Sequence, residues 1–360
     1  MTRIHVLSRG FQTPNGRAFL FPLTVWRRAL AEYGLDCRIF HTPSPALTDC
    51  DALLVDSKFH RDRWSNDKPA VLAEFSEWAA RCRVIYCDTT DSSGWLQPDL
   101  LPIVHRYAKA QMLRDRGGYL KPLYGHSSYA EYYHVKFNVD DSQPEWSSPV
   151  VDPKLLDKLC VSWNSGLADY SLYGPARMAL YDWLPAASLL RFPDAIASPS
   201  SARPRDVSAR FGTAYARASV AAQRRLIKDK LATYHLDTAK LSRRAYFAEL
   251  QASKVVVSPF GYGEITLKDF EVLLTGGLLL KPDMSHMETW PDLFRADETM
   301  LAHRWDLSDL SEVLERALGD PSRLGALAEA GQKVYRAHTS TPGAAVLFAD
   351  HLRSIVTAPR

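Results

Sequence analysis

Two groups of residues in this chain have the types and spacing for chemistry. The first is a glycine-rich turn flanked by acids and lysines, inside LQASKVVVSPFGYGEITLKDFEVLLTGGLLLKPDMSHMETWPDLF, residues 250–294. Gly261, Tyr262 and Gly263 break the chain straight after the β-branched run Lys254 to Ser258. Glycines there let backbone N–H groups approach a phosphate, and the start of the following helix favours negative charge. Glu264 and Glu271 bracket the turn, where a carboxylate suits the hydroxyls of a sugar or ribose. Lys268, Lys281 and His286 complete the set expected to hold a phosphorylated ligand. Taken singly, Glu264 reads equally well as a solvated turn acid and Glu271 as a surface helix acid; the run as a whole favours a ligand site.

The second group is acidic. Asp88 and Asp91 sit in the polar loop DTTDSSG, directly after the apolar run Arg83 to Cys87. A carboxylate at the end of a parallel strand is where a general base is expected, and capping or turn roles are the plainer alternative for each. A third loop, after Ile4 to Leu7, offers Asn15, Gly16 and Arg17 for contact with an acceptor. It lacks G-x-G-x-x-G, so dinucleotide binding is not supported.

These groups need elements to hold them. Lys254 to Ser258 and Leu278 to Leu280 read as buried parallel strands. Between them, Thr266 and Asp269 have capping-box spacing, Phe270, Leu273 and Leu274 repeat at helical spacing, and Gly276 and Gly277 end the helix. Nearer the start, Ile4 to Leu7, Cys37 to His41, Ala52 to Val55 and Arg83 to Cys87 read as strands, with helices over Leu23 to Tyr33 and Pro69 to Arg81. Asn138 to Pro153 has a linker's composition, and Leu159 to Trp163 reads as the start of a second α/β unit. Ala344 to Val356 forms a last helix.

Composition narrows the classes. At 360 residues, 46% hydrophobic and 24% charged, the chain suits two globular domains. A net charge of +3 does not call for nucleic acid. Five cysteines form no C-x-x-C pair or zinc pattern, which favours a reducing compartment. No run approaches a membrane span. Asp49-Cys50-Asp51 precedes a strand rather than following one, so it reads as a turn, and no metal is expected. One segment, Arg203 to Arg244, carries eleven Lys and Arg against three Asp. Within it Arg210, Arg217 and Arg224 are spaced by seven and would share a face of one helix, as a solvated stripe or as a phosphate-binding wall.

The 250–294 stretch resembles the nucleotide-sugar half of GT-B-fold glycosyltransferases of the bacterial surface-polysaccharide (LPS, capsule, O-antigen) type. The matching parts are Ser258-Pro259, the Gly261 to Glu264 turn, Glu271, Gly276 and Leu278 to Leu280. Six residues separate Glu264 from Glu271, where many retaining members have seven, so retaining stereochemistry does not carry over. The resemblance implies an α/β fold of two Rossmann-like domains facing a cleft. Residues 1–150 would bind the acceptor and 151–340 the nucleotide-sugar donor, while 341–360 would form a helix crossing back to the N-terminal domain. It implies a cytoplasmic transferase, peripheral to the inner membrane, that needs no cofactor besides the nucleotide-sugar co-substrate and acts on a glycan or lipid-linked acceptor. Two further readings stand beside it. One is a phage-type DNA-base glycosyltransferase, favoured only by the basic segment; the other is a non-catalytic glycan- or nucleotide-binding protein of the same fold.

Overall fold

The computed structural model describes residues 1–141 and 148–357. Part of the expected linker, residues 142–147, therefore lies outside the described residues. The strands in chain order are β1 (Thr2–Leu7), β2 (Leu35–Phe40), β3 (Ala52–Asp56), β4 (Arg83–Asp88), β5 (Arg106–Lys109), β6 (Gln111–Leu113), β7 (Leu159–Val161), β8 (Arg205–Ser208), β9 (Ser253–Val257), β10 (Leu278–Pro282), β11 (Met287–Thr289) and β12 (Leu301–His303). They form a six-stranded sheet of order β2-β1-β3-β4-β5-β7 and a four-stranded sheet of order β12-β10-β9-β8. Every pairing within these two sheets is parallel.

The runs that read as buried strands are buried for the expected reason. Val255, Val256 and Val257 of β9 and Leu278 and Leu280 of β10 are fully enclosed, with helices covering the sheet. Each such side chain contributes roughly 1.5–3 kcal/mol on leaving water. The helix Leu267–Thr275 between them starts at a capping box, with the N–H of Thr266 donating to Asp269 Oδ2 at 2.8 Å, and ends at Gly276 with φ +69°.

Three placements differ from the sequence reading. Leu159–Val161 does not open the second sheet. It pairs with β5 as the last strand of the first, in the register Tyr107↔Leu159, so the first sheet draws on the chain beyond residue 150. The first helix begins earlier than expected, at Pro14, because Thr13 caps it by accepting the N–H of Gly16 at 3.1 Å and proline suits its first position. Asn15, Gly16 and Arg17 thus form a helix start rather than a loop. The loop after β10 returns to the N-terminal half, where β11 pairs antiparallel with β6 as a separate two-stranded sheet and Glu288 meets Arg116 at 2.6 Å.

The terminal helix Ala344–Thr357 also crosses back. Phe348 packs on Trp26 with centroids 5.4 Å apart, and Arg353 donates to the carbonyl of Tyr33 at 2.6 Å. Two facing Rossmann-like sheets and a helix returning to the first make the GT-B arrangement. No helix of the described residues is long and apolar enough to cross a membrane.

Candidate functional site

Parallel strands send their following loops to one edge, so each sheet presents its carboxyl ends together. The loop after β4 and the glycine turn after β9 meet edge to edge. At their inner contact Glu264 is fully buried; it accepts the N–H of Ser93 at 3.0 Å and its hydroxyl at 2.6 Å. Burial alone would raise this carboxyl, but His286, 3.7 Å away, and Ser93 outweigh it and hold Glu264 below the ordinary range. Gly263 is required here, because a β-carbon on it would fall 1.7 Å from the carbonyl oxygen of Asp91. Tyr129 adds a bond from its hydroxyl to the carbonyl of Gly261 at 2.8 Å. This part of the seam is closed by protein.

Beside it the same two loops open onto a cavity of about 600 Å³. Its first wall carries Lys58, Arg61 and Trp64 from the segment after β3, and Asp91 and Trp95 from the loop after β4. Its second wall carries Arg217, the residue before the helix Ala218–Lys230, and Tyr262 of the glycine turn. The Arg217 guanidinium lies 5.6 Å from the centre of the Tyr262 ring and donates to the carbonyl of Gly125 at 3.2 Å. Asp91 is exposed and is aimed by Asn15, whose amide donates to Asp91 Oδ1 at 2.9 Å and to the Thr89 carbonyl at 2.6 Å. His126 stacks on Trp95 with ring centres 4.0 Å apart. Burial, with Arg217 next, pushes His126 down to about 4, so it is neutral at physiological pH. Its φ of +62° lies in the left-handed region, which costs a residue with a β-carbon about 1–2 kcal/mol. Such strain is often held at sites of function.

The remaining expected site residues take structural roles. Asp88 is buried with Lys109 at 3.0 Å and accepts the Tyr107 hydroxyl at 2.7 Å. Burial opposes its charge, yet Lys109, Thr90 and Tyr107 outweigh burial and keep its carboxyl below the usual value. It has no access to a substrate. Lys281 is equally enclosed, 3.1 Å from Asp269, and burial lowers its ammonium. Glu271 is not on the helix surface. It is buried against Arg243 at 3.1 Å and the Tyr246 hydroxyl at 3.0 Å, and burial raises it. Lys268 donates to the carbonyl of Arg210, and burial followed by Arg224 brings it down to about 8. His286 packs edge-on against Trp305. Arg17 donates to the carbonyl of Phe11 at 2.6 Å.

The three arginines do not share a helix face, because the helix starts only at Ala218. Arg210 lies in the segment after β8, bound to Glu249 and Asp237, each at 2.6 Å. Arg224 lies on the helix, 4.5 Å from the Tyr215 ring centre and donating to the Phe260 carbonyl at 3.0 Å. Arg217 alone reaches the cavity. The sequence reading does not single out Lys58, Arg61, Trp64 or Trp95, whose only sequence signal is position, shortly after runs that read as strands.

No family model matches the chain, and no curated protein matches it. Solved structures similar to it include Anabaena HepE in complex with UDP-glucose, at 10% identity over 98% of this chain and 100% of that one, with a TM-score of 0.45. An α-glucosyltransferase in complex with UDP-glucose and DNA containing an abasic site aligns at 10% identity over 99% of both chains, with a TM-score of 0.43. Sucrose-phosphate synthase from Thermosynechococcus elongatus aligns at 12% identity over the whole of both chains, with a TM-score of 0.45.

Chemically, the cavity presents one exposed carboxylate, three cations and the rings of Trp64, Tyr86, Trp95, His126 and Tyr262. The cations suit a diphosphate, the flat rings suit sugar or base faces, and the carboxylate suits a hydroxyl. Among the described residues no group of three or more His, Cys, Asp or Glu is placed to hold a metal ion.

Proposed function

We propose that the protein is a glycosyltransferase that moves a sugar from a nucleotide-sugar donor to a hydroxyl of a glycan or lipid-linked acceptor in surface-polysaccharide synthesis. The observation that carries this reading is the convergence of Asp91, Arg217 and Tyr262, with Lys58 and Arg61, on one cavity at the carboxyl ends of both sheets. Arg217, Lys58 and Arg61 offset the diphosphate charge that grows as the leaving group departs. Tyr262 and Trp95 give flat faces for the donor. Asp91 takes the proton of the acceptor hydroxyl as its oxygen bonds to the anomeric carbon, and the nucleoside diphosphate leaves with the electrons of the broken C–O bond. With three cations available to the diphosphate, the reading includes turnover without a bound metal. The row of arginines that favoured a DNA acceptor is dispersed, so a DNA-base transferase loses its one supporting feature.

The test is a panel of sugar nucleotides headed by UDP-glucose, read first by thermal shift and then by release of nucleoside diphosphate, with and without chelator. The reading requires that one donor raises the melting temperature and is turned over in both conditions. Binding of a donor without any turnover across acceptors would favour the non-catalytic alternative, and turnover abolished by chelator would remove metal independence.

A further inference from the structure

Two of the five cysteines meet at the end of the first sheet that faces away from the cleft. Cys50 follows the short turn Pro45–Thr48 and stands just ahead of β3; Cys82 follows the helix Lys68–Ala79 and stands just ahead of β4. These strands are parallel neighbours in the register Ala52↔Arg83, so the chain enters both side by side, with the two cysteines one residue out of step. Neighbouring strands run about 4.8 Å apart, within the span of about 4.4–6.8 Å between Cα atoms that a disulfide bridges. Both side chains turn to the same face of the sheet, where they join the core that holds Leu47, Trp78 and Val84.

The two thiols touch. They are hydrogen-bonded to each other, and each also lies against a carbonyl of the turn before it, Leu47 at 3.5 Å for Cys50 and Trp78 at 3.6 Å for Cys82. Their mutual hydrogen bond, with burial, pushes Cys50 up; the same bond outweighs burial at Cys82 and brings it below the ordinary thiol value. Cys82 is also the more open of the two, half-buried where Cys50 is 8% exposed. An accessible thiol with thiolate character beside a second thiol is the arrangement of an attacking and a resolving cysteine. The other three cysteines differ. Cys87 and Cys160 are in register on either side of Ala108, two strand spacings apart and out of bridging range, and burial raises both. Burial pushes Cys37, on β2, up to about 12.

We propose that Cys50 and Cys82 are a reversible oxidation site that closes to a disulfide, with a small-molecule disulfide as the oxidant. The Cys82 thiolate attacks one sulfur of the oxidant, whose other half leaves as a thiolate, and a mixed disulfide forms on Cys82. The Cys50 sulfur then attacks the Cys82 sulfur, the protein disulfide forms, and the second half of the oxidant leaves. Two protein thiols are oxidised, one disulfide is reduced to two thiols, and the two protons of the protein thiols pass to the leaving groups. The bridge ties off the segment 51–81, which carries Lys58, Arg61 and Trp64 of the cleft wall. A cross-link of this kind restricts the unfolded chain, so the oxidised protein is the more stable form. The proposal does not depend on glycosyl transfer.

The test uses the full chain, reduced and then equilibrated with oxidised glutathione under native conditions. Peptide mapping by mass spectrometry should find Cys50 joined to Cys82 with the loss of two hydrogens, and thiol titration after unfolding should leave three of the five thiols. Dithiothreitol should restore all five and lower the melting temperature of the bridged protein. Cys50→Ser should trap glutathione on Cys82, and its melting temperature should not rise with the oxidant. The mapping reads the wild type, so it does not depend on how the serine variant folds. Five free thiols after equilibration, or glutathione on Cys82 of the wild type with no bridge, would overturn the proposal. So would a bridge that involves Cys37, Cys87 or Cys160.

Discussion

Asp88 and Asp91 stand three residues apart in one loop and do opposite things. Asp88 is still on β4, in register with Lys109 of β5, and the pair is closed off in the sheet. Asp91 has left the strand, is held by Asn15 from the first helix, and faces the cavity. The seam repeats the contrast on the other sheet: Glu264 is consumed by Ser93, while its neighbour Tyr262 is 49% exposed over the cavity. A charged group in these loops is enclosed where a partner from the facing element buries it, and open to a ligand only where it faces the cavity.

The contrast can be broken by substitution. The largest effect on stability should come from Asp88→Asn, which leaves Lys109 buried without its counter-charge and should cost about 3–5 kcal/mol. Urea denaturation checks it, and a variant as stable as the wild type would show that the pair is not a closed core feature. Gly263→Ala should follow, costing about 1–3 kcal/mol, because its β-carbon would be forced against the Asp91 carbonyl. Since the turn must then lift off the loop that carries Asp91, turnover should fall with stability.

Arg217→Ala should leave the melting temperature nearly unchanged but weaken donor binding by about 1.5–3 kcal/mol, the worth of a charge-assisted hydrogen bond. Calorimetric titration with the donor found in the panel reads this directly, and unchanged affinity would take Arg217 out of the site. A pH dependence is also expected. His126, His303 and His351 are each held down to about 4, chiefly by burial, whereas the unfolded chain takes up these protons near pH 6.5. Between those values the unfolded state binds more protons, so stability should fall as pH drops from 6.5 towards 4. A denaturation midpoint at pH 5 equal to that at pH 7 would contradict the burial of these rings.

Much of the frame was legible in the sequence because its signals are local. The valines of β9, the Thr266/Asp269 box and Gly276 act within a few residues of one another, and the structure forms each where the spacing puts it. The sorting of acids and bases was not legible, because the deciding partners are distant. Lys109 is 21 residues from Asp88, and Ser93 is 171 from Glu264. Glu271 carries the spacing of a helix residue, and nothing local shows that Arg243 and Tyr246 bury it. The arginine heptad failed for a related reason: spacing by seven makes a face only if one helix spans all three, and this one starts after Arg217.

Asp91, rather than Asp88, is the acid proposed to meet the substrate. The most direct measurement is steady-state turnover of Asp91→Asn beside its urea denaturation curve, with the donor and acceptor that the wild type uses. A general base contributes about 10²–10⁴-fold to rate, so kcat should fall by at least 10²-fold while the unfolding free energy stays within about 0.5 kcal/mol of the wild type. Wild-type turnover in a normally folded Asp91→Asn protein would contradict the account.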